Sequence, residues 1–172
     1  WALLARIDKD AWIQLWQQPG KTPEQMCNDA ANADARLRAA IESYRQAFRR
    51  NPGHYCSGIN TLTLMHVFLF LTGDTRFFLE AKSMAGAVRY AAEYEPGQSF
   101  LSKATLGDLE VLLGTPETAA SAYNEAISKS ENDWFALNSI LSQLYLLKDL
   151  GFRPEVVAAG ITTFEQALAR LS

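Results

Sequence analysis

His54 and His66 are the two histidines of the chain, and Cys27 and Cys56 its two cysteines. Acid–base, nucleophilic or metal chemistry would have to start from these and from the carboxylates. A protein metal site needs several His, Cys or carboxylate ligands at close spacing, and HExxH, ExxH and CxxC are all absent. Neither GxGxxG nor GxxxxGK[ST] is present to cradle a phosphate, and no GxSxG elbow presents a serine. His66 falls in the apolar run 64–71 and reads as a core or groove histidine with one hydrogen bond. The pairs Glu93/Glu95 and Asp108/Glu110 stand two apart, and residues two apart on a helix do not face each other. They read as solvated surface. The expectation is a chain with no catalytic residues, no metal and no cofactor.

Binding chemistry is easier to find. The stretch His54-Tyr55-Cys56-Ser57-Gly58-Ile59-Asn60 reads as a loop before a buried helix, with Gly58 opening backbone angles closed to other residues. In one reading His54, Tyr55 and Asn60 form a wall of a binding groove. In the other, Tyr55 packs between helices and Asn60 satisfies loop amides. Arg36, Arg38, Arg45, Arg49 and Arg50 are the one concentration of charge. Arg38, Arg45 and Arg49 share a helix face with Glu42, as a salt-bridged solvated strip or as a docking strip for an acidic peptide. Aromatic residues that could stack nucleobases do not interleave there.

The elements that must hold these groups are helices. In 36–50, Leu37, Ala40, Ile41, Tyr44, Ala47 and Phe48 recur at helical steps, and Pro52-Gly53 stops the run. Residues 59–72 are apolar on nearly every side, as in a helix buried all round. Further helices are expected at 2–18, from Thr22-Pro23 toward 35, and at about 75–94, 98–113, 116–129, 133–149 and 154–171. Gly114-Thr115-Pro116 supplies a stop, an N-cap and a first-turn proline. Strand and hairpin signals are missing.

At 172 residues the chain reads as one domain over 1–172, excised from a longer protein. With 48% hydrophobic and 20% charged residues it has a globular composition. The net charge is −3, divided as +2 over 1–86 and −5 over 87–172, which disfavours nucleic acid as a partner. The longest apolar run is too short for a bilayer, and no secretory leader is visible. Two cysteines without a CxxC fit a reduced, cytoplasmic protein.

Three helices repeat one pattern of a small residue, an aromatic four later and alanine seven later. They are Ala40-Tyr44-Ala47, Ala119-Tyr123-Ala126 and Gly160-Phe164-Ala167. Small residues let helices approach closely, and the aromatic fills the gap between hairpins. Pro52 follows the first unit, Leu106-Gly107 and Gly114 precede the second, and Trp134 and Leu137 precede the third. A fourth unit at Ala81, Ala85 and Val88 is degenerate. The pattern resembles the tetratricopeptide repeat, with a period nearer 40 residues than the usual 34 or so. The resemblance implies an all-α, solenoid-like stack of antiparallel hairpins, about eight helices in number. Within it, the stretch Tyr44-Arg-Gln-Ala-Phe48, Asn51-Pro52-Gly53-His54-Tyr55, Gly58-Ile59-Asn60 and Thr63-Leu64 resembles the tetratricopeptide-like central region of the apoptosis signal-regulating kinases and related bacterial signalling proteins. That region recruits adaptors and regulates the kinase. The resemblance implies a non-catalytic scaffold for a protein or peptide partner in a larger signalling protein. A small all-α enzyme or ligand sensor using His54, Tyr55 and Asn60 is the competing class. Repeat arrays need polar caps. Trp12 and Trp16, four apart on the first helix, read either as core or end-cap packing or as part of an exposed apolar end; ends at the Trp1/Trp12/Trp16 helix or at Phe164/Leu168/Leu171 look apolar, which predicts a homodimer through an array end or contact with flanking domains.

Overall fold

The structure is a computed structural model that describes residues 2–171. Trp1, one of the residues expected at an apolar end, lies outside them. Among the described residues there are nine helices and no strand. They are α1 (Ala2–Trp16), α2 (Pro23–Asn32), α3 (Asp34–Arg50), α4 (Tyr55–Thr72), α5 (Phe78–Glu93), α6 (Phe100–Leu113), α7 (Pro116–Ile127), α8 (Trp134–Asp149) and α9 (Pro154–Ala169). The chain divides into two compact units, one up to Val88 and one from Arg89 onward.

Local chemistry accounts for most helix starts. Thr22 accepts from the Gln25 amide while the Gln25 side chain returns a bond to the Thr22 amide, and Pro23 takes the first turn. Thr115 and Thr118 form the same reciprocal box ahead of Pro116. Asp133 accepts from the amides of Phe135 and Ala136 at the start of α8.

In the first unit α3 packs on both α1 and α4, and α2 lies against α1 and α4. The short α2 is the helix expected from Thr22-Pro23, and it ends at Asn32. Trp12 and Trp16 are fully buried, 5.4 Å apart, and Trp12 Nε1 donates to the Ala30 carbonyl of α2. They are therefore core. Of their two readings, packing inside the protein holds, and an exposed apolar end surface does not, because the outward face of α1 belongs to other residues. α4 is long and apolar enough to cross a membrane by length and composition alone, yet 56% of it is buried inside the protein. That is the signature of a core helix.

α4 begins at Tyr55, not at 59, so the expected loop 54–60 is mostly helix. The connection shrinks to Asn51–His54, where Asn51 accepts from the amides of Gly53 and His54. Gly58 is helical, and its backbone needs no special angle. Its role is close approach. A Cβ there would lie 2.4 Å from Val88 and 2.9 Å from the Phe48 ring.

In the second unit α6 pairs with α7, α8 pairs with α9, and the two hairpins join through α7 and α9. Tyr123 of α7 and Phe164 of α9, both fully buried, meet edge to face at 4.9 Å. The repeated aromatic thus fills the space between consecutive hairpins. Phe164 is core and not an array end, which corrects that expectation too. Arg153, in the left-handed region at the start of α9, donates to the Val111 and Gly114 carbonyls at 2.7 and 2.6 Å. A cation thereby closes the C-terminus of α6.

Candidate functional site

The polar residues that the fold gathers lie where α1, α3 and α4 meet. Lys9 is on the inward face of α1, in register with Ala5, Trp12 and Trp16, and is 8% exposed. Its Nζ donates to Asn60 Oδ1 at 3.1 Å. Asn60 Nδ2 donates to the Cys56 carbonyl at 2.8 Å, one turn back on α4. On α3, buried Ser43 donates to Asp8 Oδ2 at 2.6 Å. Its neighbour Tyr44 is also buried, and burial, with Asp10 adding to it, pushes its phenol up to about 12.

Tyr44 makes stability depend on pH in a defined direction. Between the ordinary phenol value near 10 and about 12, the folded chain holds a proton that the unfolded chain has lost. Stability from this group is full below pH ~10 and falls by about 1.4 kcal/mol per unit until its pKa is reached. Denaturant melts across that window should show the slope, and Tyr44→Phe should remove it. An unchanged slope in the variant would remove Tyr44 as its source.

Of the residues singled out in sequence, Asn60 enters this cluster and His54 flanks it. His54 Nδ1 sits 2.7 Å from Ser57 Oγ at the exposed start of α4, and Ser57 in turn accepts from Thr61 through its carbonyl. Tyr55 is half-buried in the first turn of the same helix. The three residues are placed by one helix rather than by a loop, and both functions of the Asn60 amide are engaged inside the fold. Lys9 was missed. Its signal was nevertheless present, as a lysine on the four-three-four apolar spacing that carries Trp12 and Trp16.

The arginine strip is divided. Arg38 pairs with Asp34 at 3.4 Å on its own helix. Arg45 and Arg49 converge on one carboxylate, Glu80 of α5, at 3.0 and 2.9 Å. Arg45 also pairs with Glu42, whose own pKa is held down by Gln46 and then by Arg45. Burial works against charge on Arg45, but Glu80 and Glu42 outweigh it and hold the guanidinium above its ordinary value. Arg45 is thus a tertiary clamp, where the sequence read it as a member of an open face. Arg45→Ala should cost about 1 kcal/mol and Arg38→Ala no more than about 0.5 kcal/mol in urea melts. Equal costs would contradict the clamp.

Among the described residues no group of three or more His, Cys, Asp or Glu side chains is placed to hold a metal ion. Cys27 and Cys56 form no disulfide.

Comparison with known proteins adds one match. Residues 1–65 fit the family model described as Tetratricopeptide Repeats-Sensor. No curated protein and no solved structure matches the chain. With the helical pairing described above, the match shows a tetratricopeptide-like helical array and supports a protein-interaction or sensor module. Repeat domains of this type are generally non-catalytic. The matched span takes in α1 to α3 and most of α4, the same elements that enclose Lys9 and Asn60.

Proposed function

We propose that the chain is a non-catalytic scaffold that binds a protein or peptide partner and serves a regulatory role in a larger, cytoplasmic signalling protein, with both units belonging to one repeat domain. The observation that carries this reading is a set of large apolar side chains left outside on helices whose inner faces are already complete. Phe135 and Trp134, adjacent in the first turn of α8, are 78% and 56% exposed. Tyr90 near the end of α5 and Tyr94 just beyond it, also in the second unit, are both exposed, with ring centroids 4.6 Å apart. Single exposed apolar residues are ordinary, but paired aromatics more often mark an interaction site. Aromatic anchors of this kind dominate binding energy when a partner covers them. An acidic segment of the partner would engage Arg38 and Arg49, displacing Glu80 from the latter.

The test compares partner capture by wild type with capture by Trp134→Ser/Phe135→Ser and by Arg38→Ala/Arg49→Ala. Each variant is first matched to wild type in helicity and melting temperature. Loss of a specific partner in the aromatic variant supports the reading, and undiminished capture in both variants sinks it.

The ligand-sensor reading is favoured by a different observation, the buried Lys9–Asn60 pair inside the span matched to the sensor model. A small anionic ligand that raised the melting temperature of wild type but not of Lys9→Met would move the assignment to that reading.

A further inference from the structure

The first half of α5 buries little apolar surface. Between Phe78 and Val88 the buried side chains are Ala81 and Val88, while Phe78 is 53% and Leu79 76% exposed. α3, by contrast, buries Leu37, Ile41, Tyr44 and Phe48. Apolar contacts hold the two ends of the stretch. Phe77 meets Phe68 of α4 edge to face at 5.3 Å, and Val88 stands where a Cβ of Gly58 would be. Between them Glu80 sets one carboxylate oxygen 3.0 Å from Arg45 Nη1 and the other 2.9 Å from Arg49 Nη2. A segment with few buried apolar contacts opens at a lower free energy than the core. The closure of this one therefore leans on a single carboxylate.

That carboxylate lies on the arginine strip. At 100° per residue Arg38, Arg45 and Arg49 fall within about 40° of one another on α3, over about 16 Å of its axis. The chain's own acidic residues follow the same line. Asp74, in the turn before α5, is held below the usual carboxylate range by Arg76 and, to a smaller degree, by the Arg38 charge. Glu80 takes Arg45 and Arg49. The segment 74–80 thus accompanies the strip as an acidic peptide would, with one carboxylate toward each end. Its fit is incomplete. Arg45 Nε is buried without a hydrogen-bond partner among the described residues, and the Arg49 side chain stays 56% exposed. We propose that the segment from Asp74 to Val88 is an internal occupant of the Arg38/Arg45/Arg49 strip, and that an acidic peptide segment of the partner binds there by displacing it.

The tether sets what can compete. Glu80 is attached to the protein it binds, so it acts at an effective concentration on the order of millimolar. A single free carboxylate does not match that. A peptide with several carboxylates does, because it meets all three arginines at once. Six extended residues span about 20 Å, enough to cover the strip. Partner binding is thereby coupled to the opening of the first half of α5, and the Glu80 clamp sets the threshold. The proposal rests on the scaffold reading above for the existence of an acidic partner, and it adds that the strip is masked in the free protein.

Fluorescence anisotropy with a labelled hexaglutamate peptide, joined to hydrogen–deuterium exchange of the full chain, tests the proposal. Glu80→Gln should bind the peptide about three- to tenfold more tightly than wild type, because it unmasks both guanidinium groups. Arg49→Ala/Glu80→Gln should lose that gain. In wild type, saturating peptide should speed amide exchange over 81–88 by about threefold or more, while the amides of α3 keep their rates. This arm needs no substitution, so it stands however the variants fold. Glu80→Gln should show the faster exchange without any peptide. Peptide binding that leaves the exchange of 81–88 unchanged overturns the proposal. So does a Glu80→Gln protein that binds no better than wild type, or a peptide that binds neither. Each of these failures leaves the scaffold reading to its own test on Trp134 and Phe135.

Discussion

Gly107→Ala is expected to destabilise the second unit by about 3 kcal/mol, at the upper end of what overpacking a core costs. The added Cβ would stand 2.3 Å from Cδ1 and 2.4 Å from Cε1 of Tyr123. A flexible side chain could retreat from such a contact, but this ring cannot. Gly160 lies close behind it, where a Cβ would come within 2.9 Å of Cε2, and the Phe164 ring stands edge on at 4.9 Å. The hydroxyl is pinned as well, donating to Asp108 Oδ1 at 2.7 Å. Burial, then the nearby Asp108 charge, pushes that phenol well above its ordinary value, so it stays a donor at any physiological pH. Urea unfolding followed by circular dichroism measures the cost. Tyr123→Leu in the Gly107→Ala background should recover part of it, because a smaller side chain makes room for the methyl. A loss below about 1 kcal/mol for Gly107→Ala would mean that the ring is free to move.

Asn60→Ala is expected to cost about 2–3 kcal/mol, whereas Lys9→Met should cost less than about 1 kcal/mol. The first change removes the amide oxygen 3.1 Å from a lysine that is 8% exposed, and it also removes the donor to the Cys56 carbonyl. Hydrogen bonds to charged groups are among the stronger ones, and a buried ammonium that loses an acceptor is not resolvated by bulk water. Methionine fills nearly the same volume without a charge to satisfy, so the second change takes the demand away along with the supply. In the double variant Lys9→Met/Asn60→Ala, much of the Asn60 penalty should vanish. A cycle showing additive costs would mean that Lys9 and Asn60 do not act together.

The helical class, most boundaries and the repeat were legible in sequence because they rest on local rules. Thr22-Pro23 and Thr115-Pro116 announce helix starts through bonds formed within four residues. The small-aromatic-alanine spacing locates Tyr44, Tyr123 and Phe164 inside, since each helix can bury only the side that carries the periodic apolar residues. Gly107 before Tyr123 could likewise be read as a place for close approach.

Only the tertiary structure decided what neighbouring elements supply. Gly58 looks in sequence like a loop glycine, yet it lies inside α4, where Phe48 and Val88 leave no room for a Cβ. Arg45 sits on what reads as an open charged face until Glu80, 35 residues away, arrives on α5. Lys9, flanked in sequence by Asp8 and Asp10, shares the spacing of the inner face of α1, but its burial and its acceptor Asn60 come only from the way α3 and α4 close over that side. Periodicity tells which face of a helix is apolar, and that depends on the helix alone. Which long-range partner meets a given polar group depends on how the helices stack, and the energy that settles it is shared among residues far apart in the chain.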